Sequence, residues 1–162
     1  MGPIRDRRLV ELERLYRSRH RHFLHVARAI TGDTERAAEA VQDGFADAIR
    51  SRSRFRGDGP LEAWVWRAVV NAARKAALRP LVEAGAVTPD ELAPSAPVLE
   101  IAPLVAALPE RQRLVIFLRY YAGLDYRSIA AALEVEVGTV SATLAAAHRS
   151  IRRALEEVRV DA

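Results

Sequence analysis

Residues 107–155 read ALPERQRLVIFLRYYAGLDYRSIAAALEVEVGTVSATLAAAHRSIRRAL. Apolar residues recur there at every third or fourth position, which is the spacing of amphipathic helices. Gly123 is placed to end one helix and Asp125 to cap the next, a short helix over about residues 125–133. After a tight turn, the spacing predicts a long helix over about residues 137–158. A short helix, a tight turn and a longer helix form the outline of a helix-turn-helix.

The predicted long helix has two faces of different composition. One face is apolar and is expected to be buried; it carries Val137, Val140, Leu144, Ala147, Ile151, Leu155 and Val158. The other face carries hydroxyl and small residues that suit phosphates and base edges, with cations farther along. A helical hairpin with a merely solvated face is the alternative interpretation. The candidates for duplex DNA contact in this half are Arg119, Arg127, Thr139, Ser141, Thr143, His148, Arg149 and Arg152.

The first half of the chain shows the same helical period and no strand alternation. One helix is expected to end at Gly32, and Asp33 or Thr34 to cap the next. A loop follows over residues 51–60, SRSRFRGDGP, because glycine, aspartate and proline favour turns. This loop carries three arginines around one phenylalanine. A third helix is predicted over about residues 61–79, ended by the proline that follows.

Charge is distributed unevenly along the chain. Residues 1–80 hold 17 Arg and Lys against 10 Asp and Glu, a net of +7, whereas residues 81–108 hold four acids and no basic residue. A basic first half favours a polyanionic partner such as nucleic acid. Cysteine is absent from the sequence, which excludes disulfides and thiolate metal sites. No apolar run approaches membrane-spanning length, so a cytoplasmic location without membrane insertion is expected.

The segment between the two helical halves has its own composition. Residues 81–99 combine three prolines with acids and small residues, which is typical of a tether. The sequence therefore predicts an all-α protein of two small helical domains, residues 1–80 and 100–162, with the helix-turn-helix in the second. An acidic, proline-containing linker over residues 81–99 is expected to join them.

Several short motifs, taken in order, resemble those of the bacterial RNA polymerase sigma factors of the extracytoplasmic-function (ECF) group, in the sigma-70 family. The helix AAEAVQDGFADAI at 37–49 resembles the acid-x-x-Gln helix of region 2, and FRGDGPLEAWVWRAVVNAARK at 55–75 is similar to the segment that follows it. The motifs similar to region 4 are Leu-Pro-Glu-x-x-Arg at 108–113, Leu-Arg-Tyr at 118–120, Ile-Ala at 129–130 and Gly-Thr-Val at 138–140. The resemblance covers nearly all of the chain.

The resemblance implies a function in transcription initiation that consists of binding, without catalysis or a cofactor. In the family, the acid-x-x-Gln helix docks on the clamp coiled coil of core RNA polymerase, so Glu39, Gln42 and Asp43 are the candidates for that contact. Region 4 is expected at the polymerase flap and on duplex promoter DNA at the −35 element. An anti-sigma factor is a further partner that the resemblance implies.

The loop and the third helix are implied to hold the melted −10 element of the non-template strand. Arginines supply charge for the backbone, and aromatic rings supply stacking faces. Trp64 is as readily a core residue as a base contact. Trp66, two residues on, should face elsewhere and is expected to expose its ring. The implied set is Arg52, Arg54, Phe55, Arg56, Trp66, Asn71 and Arg74.

Region 4 departs from the family pattern around the helix that would enter the major groove. Places that usually carry Lys or Arg hold Ser141, Ala142, Thr143 and Ala146. Glu134 stands at the usual turn glycine, and a glutamate held there at positive φ would cost about 1 kcal/mol relative to glycine. Fewer phosphate contacts lower the affinity for DNA and flatten its salt dependence. The −35 contact is therefore expected to be weak or unusual.

Two other functions fit parts of the sequence. A non-sigma transcriptional regulator would use the helix-turn-helix, with residues 1–80 as a sensor or dimerisation module. A degenerate sigma-like protein-interaction module would explain the weakly basic recognition helix. An enzyme with a small-molecule substrate is the least expected class, because no phosphate loop, nucleophile elbow or carboxylate pair is recognised. His20, His22 and His25 form a poor zinc site, since no acid lies at a suitable spacing, and no metal is expected.

Overall fold

The structure, a computed structural model, describes residues 6–80 and 103–160, and within those ranges it contains helices and short turns but no strand. The predicted all-α class is confirmed. The helices are α1 (Arg7–Thr31), α2 (Thr34–Ser51), α3 (Leu61–Ala77), α4 (Glu110–Ile116), α5 (Tyr126–Leu133) and α6 (Val137–Val160). A 3₁₀ turn at Arg52–Arg54 follows α2, and a π-helical segment at Phe117–Tyr121 continues α4. The predicted linker, residues 81–99, lies outside the described residues.

The turn between α1 and α2 forms as the sequence predicts. Gly32 ends α1 in the left-handed conformation, with φ at 70°, and its amide donates to the carbonyl of Arg28. Asp33 then caps α2, because its carboxylate accepts the amide of Arg36 at 2.8 Å. At the other end of α1, the Asp6 carboxylate accepts the amide of Arg8 at 3.0 Å. A left-handed glycine followed by a side-chain cap reverses the chain within two residues, so α1 and α2 pack side by side.

The core of the first half is built around α3. Trp66 is fully buried, and its ring centroid lies 4.0 Å from that of Phe23 in α1. Phe23 in turn meets Phe45 of α2 edge-on at 5.0 Å. Gly44 allows a close approach of α2 to α3, since a Cβ at this position would lie 2.7 Å from the Cα of Val69. The three helices therefore enclose an aromatic centre, and a glycine sets the spacing of two of them.

The second half has the predicted helix-turn-helix outline. Gly123, with φ at 71°, follows the π-helical segment, and Asp125 caps α5 by accepting the amide of Ser128 at 2.7 Å. Glu134, which stands at the place of the family's usual turn glycine, adopts the left-handed conformation, with φ at 56°. The axes of α5 and α6 then lie at 101° to each other. Among the described residues, no single helix combines the length and the apolar character needed to cross a membrane.

The buried stripe of α6 is shorter than predicted. Val140, Leu144 and Ala147 are buried, whereas Val137, Leu155 and Val158 are 43%, 43% and 60% exposed. For Leu155 and Val158 the physical reason is length: α6 has 24 residues, and its neighbours α4 and α5 have 7 and 8. A short helix covers only part of a long one, so the apolar residues in the last turns of α6 remain in contact with solvent.

The two halves pack against each other, mainly through α3 and α5. Buried apolar residues of both halves form one continuous core. Two ion pairs cross the same boundary and are called the bridging ion pairs below. In one, Arg67 Nη2 lies 2.6 Å from Glu134 Oε1, and in the other, Arg74 Nε lies 3.5 Å from Glu110 Oε1. Each pair joins a cation of the first half to an acid of the second.

A second contact between the halves is aromatic. The ring of Tyr121, in the π-helical segment, stacks on His25 of α1 at 4.7 Å and lies 5.3 Å from His22, between ring centroids. Burial lowers the pKa of both histidines, and Arg19 beside His22 and Arg21 beside His25 lower it further. The two histidine rings are therefore partly packed between the halves, and burial favours their neutral forms.

We expect Gly44→Ala to lower the free energy of unfolding by about 1–3 kcal/mol, because the added methyl would overlap the backbone of α3. Urea denaturation followed by circular dichroism measures this loss. Gly138→Ala is the matched control, since a Cβ at Gly138 in α6 would meet nothing within 4 Å. An equal loss in both variants would contradict the close approach of α2 and α3.

Stability is also expected to fall in mild acid. The unfolded chain binds protons at His22 and His25 more readily than the folded protein does. The stability from these groups is therefore fully present above their ordinary pKa of 6.5 and is lost as the pH falls below it. Denaturation at about pH 7.5 and about pH 5.5 tests this, with a smaller loss expected in His22→Gln/His25→Gln. His148→Gln, at an exposed position in α6, should behave as the unmodified protein.

Candidate nucleic-acid interface

The loop over residues 52–60, called the arginine loop below, is anchored at its first residue. Arg52 Nε donates to the carboxylate of Asp6 at 2.6 Å, and its Nη1 donates to the carbonyl of Ile49 at 2.7 Å. Arg8 donates to the carbonyl of Arg52 at 2.8 Å. The hydrogen bond from Arg52 is the main cause of the lowered pKa of Asp6. Arg52 therefore fastens the loop to the start of α1, and its predicted DNA contact stays a prediction.

The next two arginines of the loop are exposed. Arg54 and Arg56 are both on the surface, and neither forms a salt bridge within the described part of the chain. They line a cavity of about 260 Å³ together with Phe55 and Trp64. The rings of Phe55 and Trp64 lie 5.6 Å apart, between centroids, and both are partly buried. Exposed guanidinium groups beside two accessible rings are the combination that binds single-stranded nucleic acid.

The expectation that Trp66 exposes its ring is wrong. Trp66 is fully buried, and its Nε1 donates to Glu62 at 3.4 Å. Trp64 is the tryptophan beside the arginine loop, because side chains two residues apart on an α-helix point about 200° apart. The pattern that identifies the buried side consists of the apolar residues three, four and seven positions after Trp66, namely Val69, Val70 and Ala73, all of which are buried.

Further polar residues line α3 beyond the loop. Asn71 is exposed beside a second cavity, of about 290 Å³, that Trp64 and Arg67 also line. Arg67 borders the loop cavity as well, so it stands between the two. Sequence reasoning missed Arg67 because a single arginine on a helix forms no pattern. Arg74, a predicted DNA contact, is partly buried and belongs to a bridging ion pair with Glu110.

The three residues expected to contact polymerase share one exposed face of α2. Glu39, Gln42 and Asp43 are all exposed, and positions three and four apart lie on the same side of a helix. Glu39 accepts a hydrogen bond from Arg79 at 2.7 Å, so this acid is partly neutralised. Gln42 and Asp43 thus present the freer polar groups of that face.

An apolar groove between α1 and α2 borders Gln42, and sequence reasoning missed it. Its lining includes the partly exposed side chains of Leu9, Tyr16 and Ile49, which are 40%, 37% and 38% exposed. Tyr16 and Ile49 continue the apolar stripes of their helices, so periodicity alone assigns them to the core. Adjacent apolar side chains left exposed beside polar residues are typical of a protein-binding surface.

The outer face of α6 carries most of the candidates for duplex DNA. Ser141, His148, Arg149 and Arg152 are exposed, and Thr139 and Thr143 are partly buried. The hydroxyl of Thr143 donates to the carbonyl of Thr139 at 2.7 Å, so its proton is used within the helix. His148 Nε2 lies 2.8 Å from the hydroxyl of Tyr120, and the two side chains share a hydrogen bond.

Two candidates lie outside α6 and differ from each other. Arg119 donates to the carbonyl of Leu124 at 3.0 Å, and its guanidinium lies 5.5 Å from the ring centroid of Tyr126. Arg119 therefore holds the turn that leads into α5. Arg127 is exposed on α5 itself.

The cations of α6 lie far from its first turn. Arg149 comes 12 residues after Val137, which at 1.5 Å per residue is roughly 18 Å along the axis. The major groove is about 12 Å wide. If the first turns of α6 lie in the groove, Arg149 and Arg152 therefore reach the backbone at its edge rather than the bases.

Comparison with known families assigns each half separately. The model of Sigma-70 region 2 matches residues 15–79, and that of Sigma-70 region 4 matches residues 99–151. The first match contains most of α1 together with α2 and α3. The second contains α4, α5 and most of α6. The two matches lie in the order that the motifs indicated.

Curated relatives extend over most of the chain. It is 30% identical over 149 residues to the ECF RNA polymerase sigma factor SigM of Mycobacterium tuberculosis, an alignment that covers 88% of this chain and 76% of that protein. It is 32% identical over 134 residues to the ECF RNA polymerase sigma-E factor of Escherichia coli, covering 70% of each. It is 28% identical to the RNA polymerase sigma-H factor of Pseudomonas aeruginosa, covering 76% and 75%.

Solved structures share the fold at lower identity. CnrH in complex with the cytosolic domain of CnrY matches with a TM-score of 0.69 and 22% identity, over 92% of this chain and 90% of that one. The sigma factor RpoE from Bartonella quintana, in complex with the anti-sigma factor NepR, matches with a TM-score of 0.69 and 19% identity, over 90% and 97%. The family matches on both halves and the relatives that span most of the chain agree: the protein belongs to the ECF group of RNA polymerase sigma factors in the sigma-70 family.

Proposed function

We propose that this sigma factor binds core RNA polymerase through the exposed face of α2 and directs it to promoter DNA through the arginine loop, α3 and α6. The observation that carries the proposal is that the first half of the chain has two different surfaces. A polar face with an apolar groove lies on α1 and α2, and a cationic, aromatic surface lies on the arginine loop and α3. One small helical unit thus has room for a protein and a nucleic acid at the same time.

The polymerase contact is proposed at Glu39, Gln42 and Asp43, extended by the apolar groove beside Gln42. Exposed groups on one helix face suit docking on another helical element, and the neighbouring apolar side chains add area that binding removes from water. We further propose that region 4 contacts the polymerase flap, which rests on the family alone. An anti-sigma partner is proposed on the same ground, since both solved relatives are complexes, one of them explicitly with an anti-sigma factor.

The melted −10 strand is proposed to lie across the arginine loop and α3. Arg54 and Arg56 attract its phosphates, and the rings of Phe55 and Trp64 offer stacking faces at the cavity between them. Asn71 suits a base edge farther along α3, and Trp66 contributes only through the core. The strand is opened by preferential binding of its unstacked form, so we propose no catalysed reaction, no cofactor and no small-molecule substrate.

The duplex contact at −35 is proposed to depend mainly on phosphates. Ser141 and Thr139 in the first turns of α6 suit hydrogen bonds or methyl contacts, whereas Arg149 and Arg152 suit the backbone. The first turns carry no cation, so the contact is weak in this proposal. Residues 1–80 and 100–162 would act as two domains joined by residues 81–99, in the cytoplasm where polymerase meets the chromosome.

A degenerate sigma-like interaction module is the second candidate, and two observations favour it. Glu110 forms an ion pair with Arg74, a proposed DNA contact, and the first turns of α6 lack cations. Run-off transcription with purified core polymerase separates the two functions. A promoter-dependent transcript supports the sigma factor, and polymerase binding without any transcript supports the module.

We expect Gln42→Ala/Asp43→Ala to weaken binding to purified core polymerase about tenfold and to lower run-off transcription in parallel, because both side chains would lie at the centre of that interface. Fluorescence anisotropy with labelled sigma factor measures the affinity. Glu35→Ala, also exposed on α2 but in its first turn, is the matched control and should bind normally. Equal weakening in the control, or none in the double variant, would contradict the proposed surface.

We expect Arg54→Ala/Arg56→Ala to lower affinity for a single-stranded −10 oligonucleotide. The slope of log affinity against log salt should fall by roughly 1.4, that is about 0.7 for each of two lost phosphate contacts. Arg153→Ala/Arg159→Ala removes the same charge from exposed positions in the last turns of α6. If both double variants lose the same slope, the effect belongs to net charge and not to the arginine loop.

A further inference from the structure

We propose that Arg67 is an additional promoter-contacting residue of α3, and that the bridging ion pairs mask Arg67 and Arg74 when no DNA is bound. This inference rests on the proposed function, because it concerns the regulation of the same single-strand surface. Glu134 and Glu110 would occupy the two guanidinium groups until phosphates of the non-template strand replace them. In this arrangement the second half of the chain would keep weakly binding anions away from the single-strand surface of the first half.

Arg67 lies where the proposed strand must pass. Arg67 borders both cavities on α3, the one lined by Phe55 and Trp64 and the one lined by Asn71. A strand that stacks on the rings and reaches Asn71 must pass this guanidinium. Arg67 is exposed, and Glu134 is the acid with which it forms a salt bridge at 2.6 Å. Arginine binds phosphate and carboxylate with the same donor geometry, so the two ligands compete directly.

The backbone of Glu134 is held in an unfavourable conformation. Its φ of 56° is the one positive value among the described residues other than glycine. That conformation is unfavourable for a side chain with a Cβ, and glycine would form the same turn without strain. A strained residue is explained when its side chain gains a contact that glycine lacks, and the contact to Arg67 is such a gain.

Other groups of the second half also lie close to the bridging ion pairs. Ala131 of α5 forms part of the wall of the loop cavity, beside Arg67 and Trp64. The Arg74–Glu110 pair lies on the same interface. The second half therefore places three groups beside the proposed path of the strand, namely Ala131 and the carboxylates of Glu110 and Glu134. The outer face of α6, by contrast, stays exposed in this arrangement.

The strength of the ion pairs is suited to reversible masking. All four side chains are between 40% and 54% exposed, and ion pairs with such access to water are weak. A single strand offers several phosphates at once and displaces both acids together, whereas an isolated anion does not. Because α3 and α5 also share buried apolar residues, the ion pairs supply only part of the free energy that holds the closed arrangement. Binding of DNA would supply the rest of the free energy needed to move α5 away from α3.

Energy transfer between two dyes tests the proposal on the full chain. The sequence has no cysteine, so Glu35→Cys and Glu157→Cys allow labels on exposed residues of α2 and α6. In the labelled protein, a single-stranded −10 oligonucleotide should lower the transfer efficiency. Glu110→Gln/Glu134→Gln should raise affinity for the oligonucleotide about fivefold, because two competing carboxylates are lost, and the transfer efficiency should fall at correspondingly lower oligonucleotide concentration. Arg67→Ala should lower that affinity even in the Glu110→Gln/Glu134→Gln background.

The matched control removes equal charge from the same half. Glu136→Gln/Glu156→Gln changes two exposed acids that form no salt bridge within the described residues, and it should leave the transfer efficiency unchanged. Glu134→Gly relieves the strained backbone, so an opening caused by this variant cannot come from a damaged turn. Equal affinity gains in the test and control pairs, or no loss from Arg67→Ala, would overturn the proposal. Run-off transcription by the unmodified protein would still support the sigma-factor function in that case.

Discussion

Helix α3 is packed on two sides at once, and the arrangement of both halves depends on that packing. On one side, Trp66 and Val69 pack in the buried apolar core with residues of α1 and α2. On the other side, α3 meets α5 of the second half. The same helix also bears the polar residues proposed to hold the melted strand. Because one helix supplies the core, the interface between the halves and the DNA surface, a change in its position alters all three.

The ion pairs between the halves follow from the uneven distribution of charge along the sequence. The first half carries a net charge of +7, and both bridging ion pairs join its arginines to glutamates of the second half. Polyanions and the protein's own acids therefore compete for one set of cations. The polymerase surface proposed on α2 carries the acids Glu39 and Asp43 beside the groove, so it does not attract polyanions.

The sequence predicted the helical class, the turn at Gly32, a cap at Asp33 or Thr34 and the cap at Asp125, because each depends on local chemistry. It failed where exposure depends on what a helix packs against. Trp66 and Trp64 differ only in the side of α3 that faces the core. The late apolar residues of α6 are exposed because no described helix reaches them. Arg67 and its partner glutamate lie 67 positions apart, and no periodic pattern links such residues.

The close approach at Gly44 has a consequence for how the two proposed surfaces communicate. Gly44 directly follows Asp43 on α2, and with no side chain between them the two backbones touch at Val69 of α3. Packed interiors resist compression. A small displacement of α2 on docking would therefore press directly on Val69 and move α3 with it. Docking of polymerase on α2 and binding of the melted strand on α3 would in this sense be mechanically coupled through a single contact.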